Sequence, residues 1–196
     1  MPSTLNMLSK DKISELIQSG AVGILPTDTL YGLVCGAANA DAIHRLYELK
    51  HREGKPGTVI AANIDQIVAL GVPRRYVTAV EKFWPNPISI VIPIYQLKDL
   101  HNGKGSVAFR IPKNKELSSL LELTGPLLTS SANHPGETPA ATVEDAQKYF
   151  GKTVDFYVDG GDLSGAQPST VIRMVDDAVE ILREGAVTVT ESGEIL

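Results

Sequence analysis

The sequence predicts an α/β fold, a mixed sheet flanked by helices, on three observations. Apolar runs of strand length alternate along the chain with stretches whose apolar residues recur at helical spacing. The run PISIVIPI, residues 87–94, sets Ile88, Ile90, Ile92 and Ile94 at a period of two, the spacing of a strand. Near the C-terminal end, two strand-like runs flank Asp176-Asp177 in a hairpin pattern, so antiparallel pairs must sit beside helical crossovers. With 196 residues the chain is read as one domain, 1–196, long enough to bury a sizeable core without staples.

The elements follow in order. Ser9 caps a first helix in which Ile13, Leu16 and Ile17 share a face and which Gly20 ends. Residues 21–25 form a buried strand that runs into PTDT; Leu30, Tyr31 and Leu33 are read as an apolar return after that cluster. Asn39 or Asp41 starts a second helix, with Ile43, Leu46 and Tyr47 inward and Lys50 at or near its end. Residues 57–62 read as a strand, 63–70 as a short helix, and 74–83 as helix up to Trp84-Pro85. Strands follow at 87–94 and 106–111 around a polar turn. Pro87 and Pro93 push the first of these to a sheet edge or limit its length. A helix over 116–125 closes at Gly125. Strand 126–131, helix 142–151, strand 155–161 and the hairpin of 169–174 with 179–185 complete the chain.

Composition narrows the function classes. The chain is 43% hydrophobic and 21% charged, ordinary for a soluble globular protein. A single cysteine, Cys35, forbids an internal disulfide and points to a reducing, cytoplasmic compartment. The N-terminus lacks a signal-peptide pattern, and no apolar run reaches the ~18 residues of a membrane span. A net charge of −5 argues against a nucleic-acid coat and leaves room for a local basic pocket. His44, His51, His101 and His134 lack metal-ligand spacing, so no metal site is expected. There is no GxxxxGK[ST] phosphate loop and nothing resembling a serine triad.

Three polar clusters could carry chemistry. The first, Thr27, Asp28 and Thr29, ends a strand; a turn accounts for it, and so does a small polar ligand held at a strand's carboxyl end. The second is Lys50, Arg52 and Lys55 among Gly54 and Gly57. It is either a solvated helix end or a phosphate clamp in which glycine lets backbone approach an anion. The third, Thr129, Ser130, Ser131 and Asn133, precedes the turn residues Pro135-Gly136 and repeats the ending of the first, which suggests one shared crevice. Arg110, Arg173 and Arg183 each lie among strand apolars and face either solvent or a site. Arg110 and Arg183 stand within two residues of a proline or a glycine, where strands end.

Taken together and in this order, the clusters resemble the YrdC family of L-threonylcarbamoyladenylate synthases, from about residue 9 to residue 187. PTDTLYGL resembles its opening signature, Lys50-x-Arg52 its K-x-R motif, Ser131-x-Asn133 its S-x-N motif, and FRIP, PSTVI and REGAV its later blocks. The chain departs from the pattern at Glu53, where the family usually has proline. The loop from Arg52 to Gly57 is one residue short, and Ala61 or Ala62 stands near the place of a histidine found in some relatives.

The resemblance implies a YrdC/RibB-like single domain with a central concave site, of the short family form. It implies a nucleotidyltransferase that makes L-threonylcarbamoyladenylate and pyrophosphate from L-threonine, bicarbonate and ATP. A tRNA-modifying transferase complex then moves the threonylcarbamoyl group to an adenosine beside the anticodon. ATP, with Mg2+, is a substrate and not a tightly bound cofactor; weak RNA binding is a further implied property, and membrane association is not. Lys50 and Arg52 are implied as catalytic, and Lys50, Arg52, Ser131, Asn133 and Arg183 as ATP-binding. Thr27, Thr29, Arg110 and Ser169 are implied as threonine-binding. The chemistry agrees with that residue set, because phosphoryl chemistry of this kind needs positioning and positive charge more than a covalent nucleophile. A carboxylated amine survives best in a dry, closed site. Two alternatives stand beside this reading. One is a paralogue that binds RNA or a nucleotide without synthase activity, which the retained K-x-R and S-x-N motifs disfavour. The other is a carbamoyl-adenylating domain of the hydrogenase-maturation kind, disfavoured by the absence of zinc cysteines.

Overall fold

Most helices begin at a residue whose side chain closes the first turn. Ser9 accepts from Lys12 N at 3.2 Å to start α1 (Lys10–Gln18), and Asn39 accepts from Ala42 N at 3.0 Å to start α2 (Ala40–Leu49). Asn63, Asn114 and Thr142 play the same part for α3 (Ile64–Ala69), α5 (Lys115–Thr124) and α6 (Val143–Phe150). The exception is α4 (Arg74–Thr78), entered from Pro73 without a side-chain cap. The computed structural model describes residues 8–51 and 54–196.

Among the described residues, one nine-stranded sheet runs in the order β7-β1-β2-β6-β3-β5-β4-β8-β9. The strands are β1 (Gly23–Pro26), β2 (Tyr31–Gly36), β3 (Thr58–Ile60), β4 (Ile88–Pro93), β5 (Ser106–Arg110), β6 (Leu127–Ser131), β7 (Phe156–Tyr157), β8 (Thr170–Val175) and β9 (Ala178–Arg183). Three parallel pairs (β1 with β7, β3 with β5, β4 with β8) stand among antiparallel ones, which makes the sheet mixed, with helices on its faces.

The structure corrects the sequence reading at three places, residues 31–36, 74–83 and 155–161. Residues 31–36 form a full strand between β1 and β6. Tyr31 through Cys35 are buried on both faces, so the alternation that marks a half-exposed strand is missing. For β4 the second of the two readings of its prolines holds: the strand is internal, between β5 and β8, and limited in length. Its prolines allow this because Pro87 stands before the strand, accepting from Thr170 N at 3.0 Å, and Pro93 ends it. Helix 74–83 breaks after Thr78 and resumes as a single 3-10 turn over Glu81–Phe83. Strand 155–161 shrinks to the two residues of β7.

Alternation divides the core in two. Ile24, Leu33, Val59, Phe109 and Leu128 point into the larger cluster with Ile43 and Leu46 of α2 and Phe150 of α6. Leu25, Val34, Ile60 and Leu127 point the other way, against Ile13 and Ile17 of α1 and Leu117, Leu120 and Leu121 of α5. The α1/α5 cover stops there. Further along the same face of β6, two and four residues beyond Leu127, stand Thr129 and Ser131. Thr58 of β3 lies opposite Thr129 in register. The sheet therefore turns from apolar to hydroxyl-bearing where its helical cover ends. Gly32, opposite Ser131, has to be glycine: a Cβ there would lie 2.4 Å from Thr129 Oγ1.

Candidate active site

The polar floor opens into a cavity of about 620 Å³ whose lining includes Thr27, Thr29, Thr58, Arg110, Ser131, Ser169 and Arg183. Its rim begins at the β1–β2 turn, which is wound on one hydroxyl. Thr27 Oγ1 donates to Leu30 O at 2.7 Å and accepts from the backbone N–H of Thr29 and Leu30, each at 3.2 Å. Thr29 Oγ1 stands 3.1 Å from the same hydroxyl. Three residues of this turn, Thr27, Thr29 and Leu30, also line the cavity, and the turn reading of PTDT is the one the hydrogen bonds bear out. Thr27 itself, with its hydroxyl engaged by the turn, lines the cavity as a fixed surface.

Arg110 ends β5 and is buried, as is the Asp28 side chain that meets it. Nε and Nη2 both donate to Asp28 Oδ1, at 3.1 and 2.8 Å, and Nη2 reaches Thr29 Oγ1 at 3.4 Å. Asp28 was not among the predicted site residues. Its signal was in plain view, a carboxylate between two threonines at a strand end, but its cation lies 82 positions away. The third nitrogen, Nη1, donates to Ser89 Oγ at 3.2 Å. Ser89 was not singled out by sequence either, because a lone serine inside an isoleucine-rich strand carries no local mark.

Ser89, Val171 and Arg183 lie side by side across β4, β8 and β9. That register brings Ser89 Oγ to 2.8 Å from Ser169 Oγ. It also lets Arg183 Nη2 donate to Ser169 O at 2.7 Å and to Ser169 Oγ at 3.1 Å. Gly185 makes the approach possible, since a Cβ there would stand 2.2 Å from Pro168 O. The blocks FRIP, PSTVI and REGAV thus converge on one wall. Arg173 does not join them: it pairs with Glu180 across the exposed β8–β9 hairpin.

At the opposite end Lys50 caps the C-terminus of α2 and is buried. Its ammonium donates to Ser131 O at 2.6 Å, Asn133 O at 2.5 Å and Asn133 Oδ1 at 2.7 Å. Ser131 Oγ in turn donates to Asn133 Oδ1 at 2.6 Å. Lys50 of the second sequence cluster and Ser131 and Asn133 of the third are therefore one assembly. A second cavity of about 1250 Å³, whose lining includes Lys50, His51, Lys55, Lys98 and Asn133, meets the first at Ser131. Arg52 and Glu53 lie outside the described residues. Tyr31, which the sequence reading placed only as an apolar residue, also lines the first cavity. Its hydroxyl accepts from Gly160 N at 2.7 Å and donates to Gly161 O at 2.8 Å. Burial pushes that phenol above its ordinary range, against the Gly160 N–H, which favours the ionised form.

Two arginines, a lysine and a row of hydroxyls facing adjoining cavities can hold an extended anion with a small polar molecule beside it. The comparisons with known proteins agree with that chemistry. Threonylcarbamoyl-AMP synthase of Pseudomonas putida is 33% identical over 174 residues, covering 86% of this chain and 93% of that protein. Sua5 of Pyrococcus abyssi, solved complexed with L-threonine, is 27% identical with a TM-score of 0.81, over 91% of this chain. This chain spans 54% of that Sua5 chain, little more than half its length. Escherichia coli YciO, 24% identical, shares the fold with a TM-score of 0.78, over 90% of this chain and 88% of that one. The Sua5/YciO/YrdC family model, described as telomere recombination, matches residues 15–185, and on that match the chain belongs to this family.

Proposed function

We propose that this protein is a threonylcarbamoyl-AMP synthase, a nucleotidyltransferase that takes L-threonine, bicarbonate and ATP. The threonine amine takes up bicarbonate carbon with loss of water, a carbamate oxygen attacks the α-phosphorus, and pyrophosphate leaves. The observation that carries this reading is the arrangement of Arg110 and Arg183 on either side of Ser89 and Ser169, with Lys50, Ser131 and Asn133 at the far end of the same cavity system. One end suits an amino-acid carboxylate and the other a nucleotide's phosphates.

In this reading Arg110, held by Asp28, receives the threonine carboxylate, with Thr29 and Ser169 beside it. Arg183, Lys50 and Arg52 face the charge that shifts onto pyrophosphate, while Ser131 and Asn133 supply neutral hydrogen bonds near the phosphates or ribose. Mg2+ enters with the nucleotide as part of the substrate. Among the described residues no cluster of three His, Cys, Asp or Glu side chains could hold it independently, and Asp28 is engaged by Arg110. The product would pass to a tRNA-modifying transferase complex in the cytoplasm. The test is incubation with ATP, L-threonine and bicarbonate, with pyrophosphate and the adenylate measured. Threonine-dependent release of both is expected. Pyrophosphate release indifferent to threonine, or supported instead by carbamoyl phosphate, would overturn the reading.

A further inference from the structure

Ser89 is fully buried on β4 and Ser169 nearly so at the start of β8; both belong to a chain of hydrogen bonds that joins two arginines. Guanidinium groups donate and never accept. The ends of the chain are therefore fixed: Arg110 Nη1 donates to Ser89 Oγ at 3.2 Å, and Arg183 Nη2 donates to Ser169 Oγ at 3.1 Å. The 2.8 Å contact between the two serines can run in either direction. If Ser169 donated, Ser89 would accept twice and its own proton would have no acceptor, since its hydroxyl bonds nothing else among the described residues. A stranded donor in a fully buried site is costly. If Ser89 donates, its proton is placed and Ser169 Oγ accepts from Ser89 and from Arg183. Both Ser169 lone pairs are then engaged, and its proton is left over. Ser169 lines the cavity.

We propose that Ser89 is a positioning residue that turns Ser169 into an obligate donor toward the cavity, aimed at an anionic oxygen of the bound ligand. Resting on the proposed function, that oxygen belongs to the L-threonine carboxylate. Ser89 touches no ligand. It holds Arg110 Nη1 in place and occupies the Ser169 lone pair, so that guanidinium and hydroxyl present donors to one carboxylate together. The arrangement also selects against ligands that present a donor at this point, because Ser169 has no lone pair left to receive it.

Neutron diffraction from deuterium-exchanged crystals reads the hydroxyl directions whatever the ligand. The Ser89 deuterium is expected on the line to Ser169 Oγ and the Ser169 deuterium in the cavity; a Ser169 deuterium on the line to Ser89 Oγ would overturn the proposal. Titration supplies a second readout. Ser89→Ala is expected to weaken L-threonine binding about tenfold, the scale of one charge-assisted hydrogen bond, with ATP binding changed less than about twofold. Ser89→Thr, which keeps the hydroxyl, should restore most of it. In a Ser169→Ala background the Ser89→Ala penalty should shrink. Full additivity of the two changes, or equal losses for both ligands, would make Ser89 a packing residue and refute its positioning role. L-threonine failing to bind the unaltered protein would sink the proposed function and the carboxylate assignment, while the deuterium positions still decide the role of Ser89.

Discussion

Arg110 meets Asp28 through two donors on one oxygen, Nε at 3.1 Å and Nη2 at 2.8 Å, and leaves Asp28 Oδ2 buried without a partner among the described residues. The pair is nearly removed from water, with side chains 4% and 6% exposed. Such a pair contributes little net stability, because desolvation offsets its attraction, but breaking it is costly since an uncompensated charge is left inside. Its effect here is geometric: Asp28 fixes two nitrogens of the fork and Ser89 the third.

Asp28→Ala should therefore destabilise the fold by roughly 3–5 kcal/mol. Asp28→Asn should cost less, because the amide oxygen still accepts from Nε and Nη2. Urea unfolding midpoints compare the two; an alanine variant as stable as the unaltered protein would show that Arg110 does not depend on its partner.

Arg110→Ala should weaken L-threonine binding much more than ATP binding, by about 1.5–3 kcal/mol for the lost charge-assisted bonds. Calorimetric titration of both ligands against folded variant decides it. Equal losses would make Arg110 a scaffold residue, and an unchanged threonine affinity would remove it from the site.

Lys50 joins Ser131 and Asn133 through three carbonyl-type acceptors around one point charge. Lys50→Met keeps the apolar stem and removes the charge. Adenylate formation should fall by the equivalent of roughly 2.7–4 kcal/mol. Lys50→Arg should not rescue it, because a planar fork cannot place its donors around one point. Rescue by arginine would show that charge alone is what the position requires.

Serine differs from threonine by one methyl group, and an apolar contact can discriminate on that basis by only ~1–3 kcal/mol. Serine should then act as a poor substrate and not an inert one. The ratio of kcat/KM for the two amino acids measures this, and a complete lack of serine turnover would call for a source of selectivity other than packing.

Cys35 is fully buried on β2, and burial pushes its thiol up to about 12 from 9.0. A raised folded-state value means the native protein keeps a proton that the unfolded chain gives up. The stability it lends is whole below pH 9 and is lost as pH rises toward 12, with a slope of up to about 1.4 kcal/mol per pH unit. Denaturation midpoints at pH 8 and pH 11 should lie closer together in Cys35→Ala than in the unaltered protein. An unchanged gap would show that the thiol does not contribute.

The sequence by itself determined the kinds of element and the ingredients of the site. Side-chain capping at Ser9, Asn39 and Thr142 is local chemistry over three residues, and so is the turn at Thr27; such short-range bonds can be read from residue order. Strand β2 could not be read this way, because burial on both faces removes the alternation that betrays a strand. Nor could the internal place of β4, since which strands flank it is a matter of long-range pairing. The site divides along the same line. Lys50, Ser131, Asn133, Arg110 and Arg183 stand in recognisable local motifs. Asp28 and Ser89 acquire their roles only through partners 82 and 21 positions away in Arg110, and 80 positions away in Ser169. Sequence order sets which groups are available. Register across the sheet sets which of them come within hydrogen-bond distance, and through those bonds which lone pairs are already occupied and which proton is left to face a ligand.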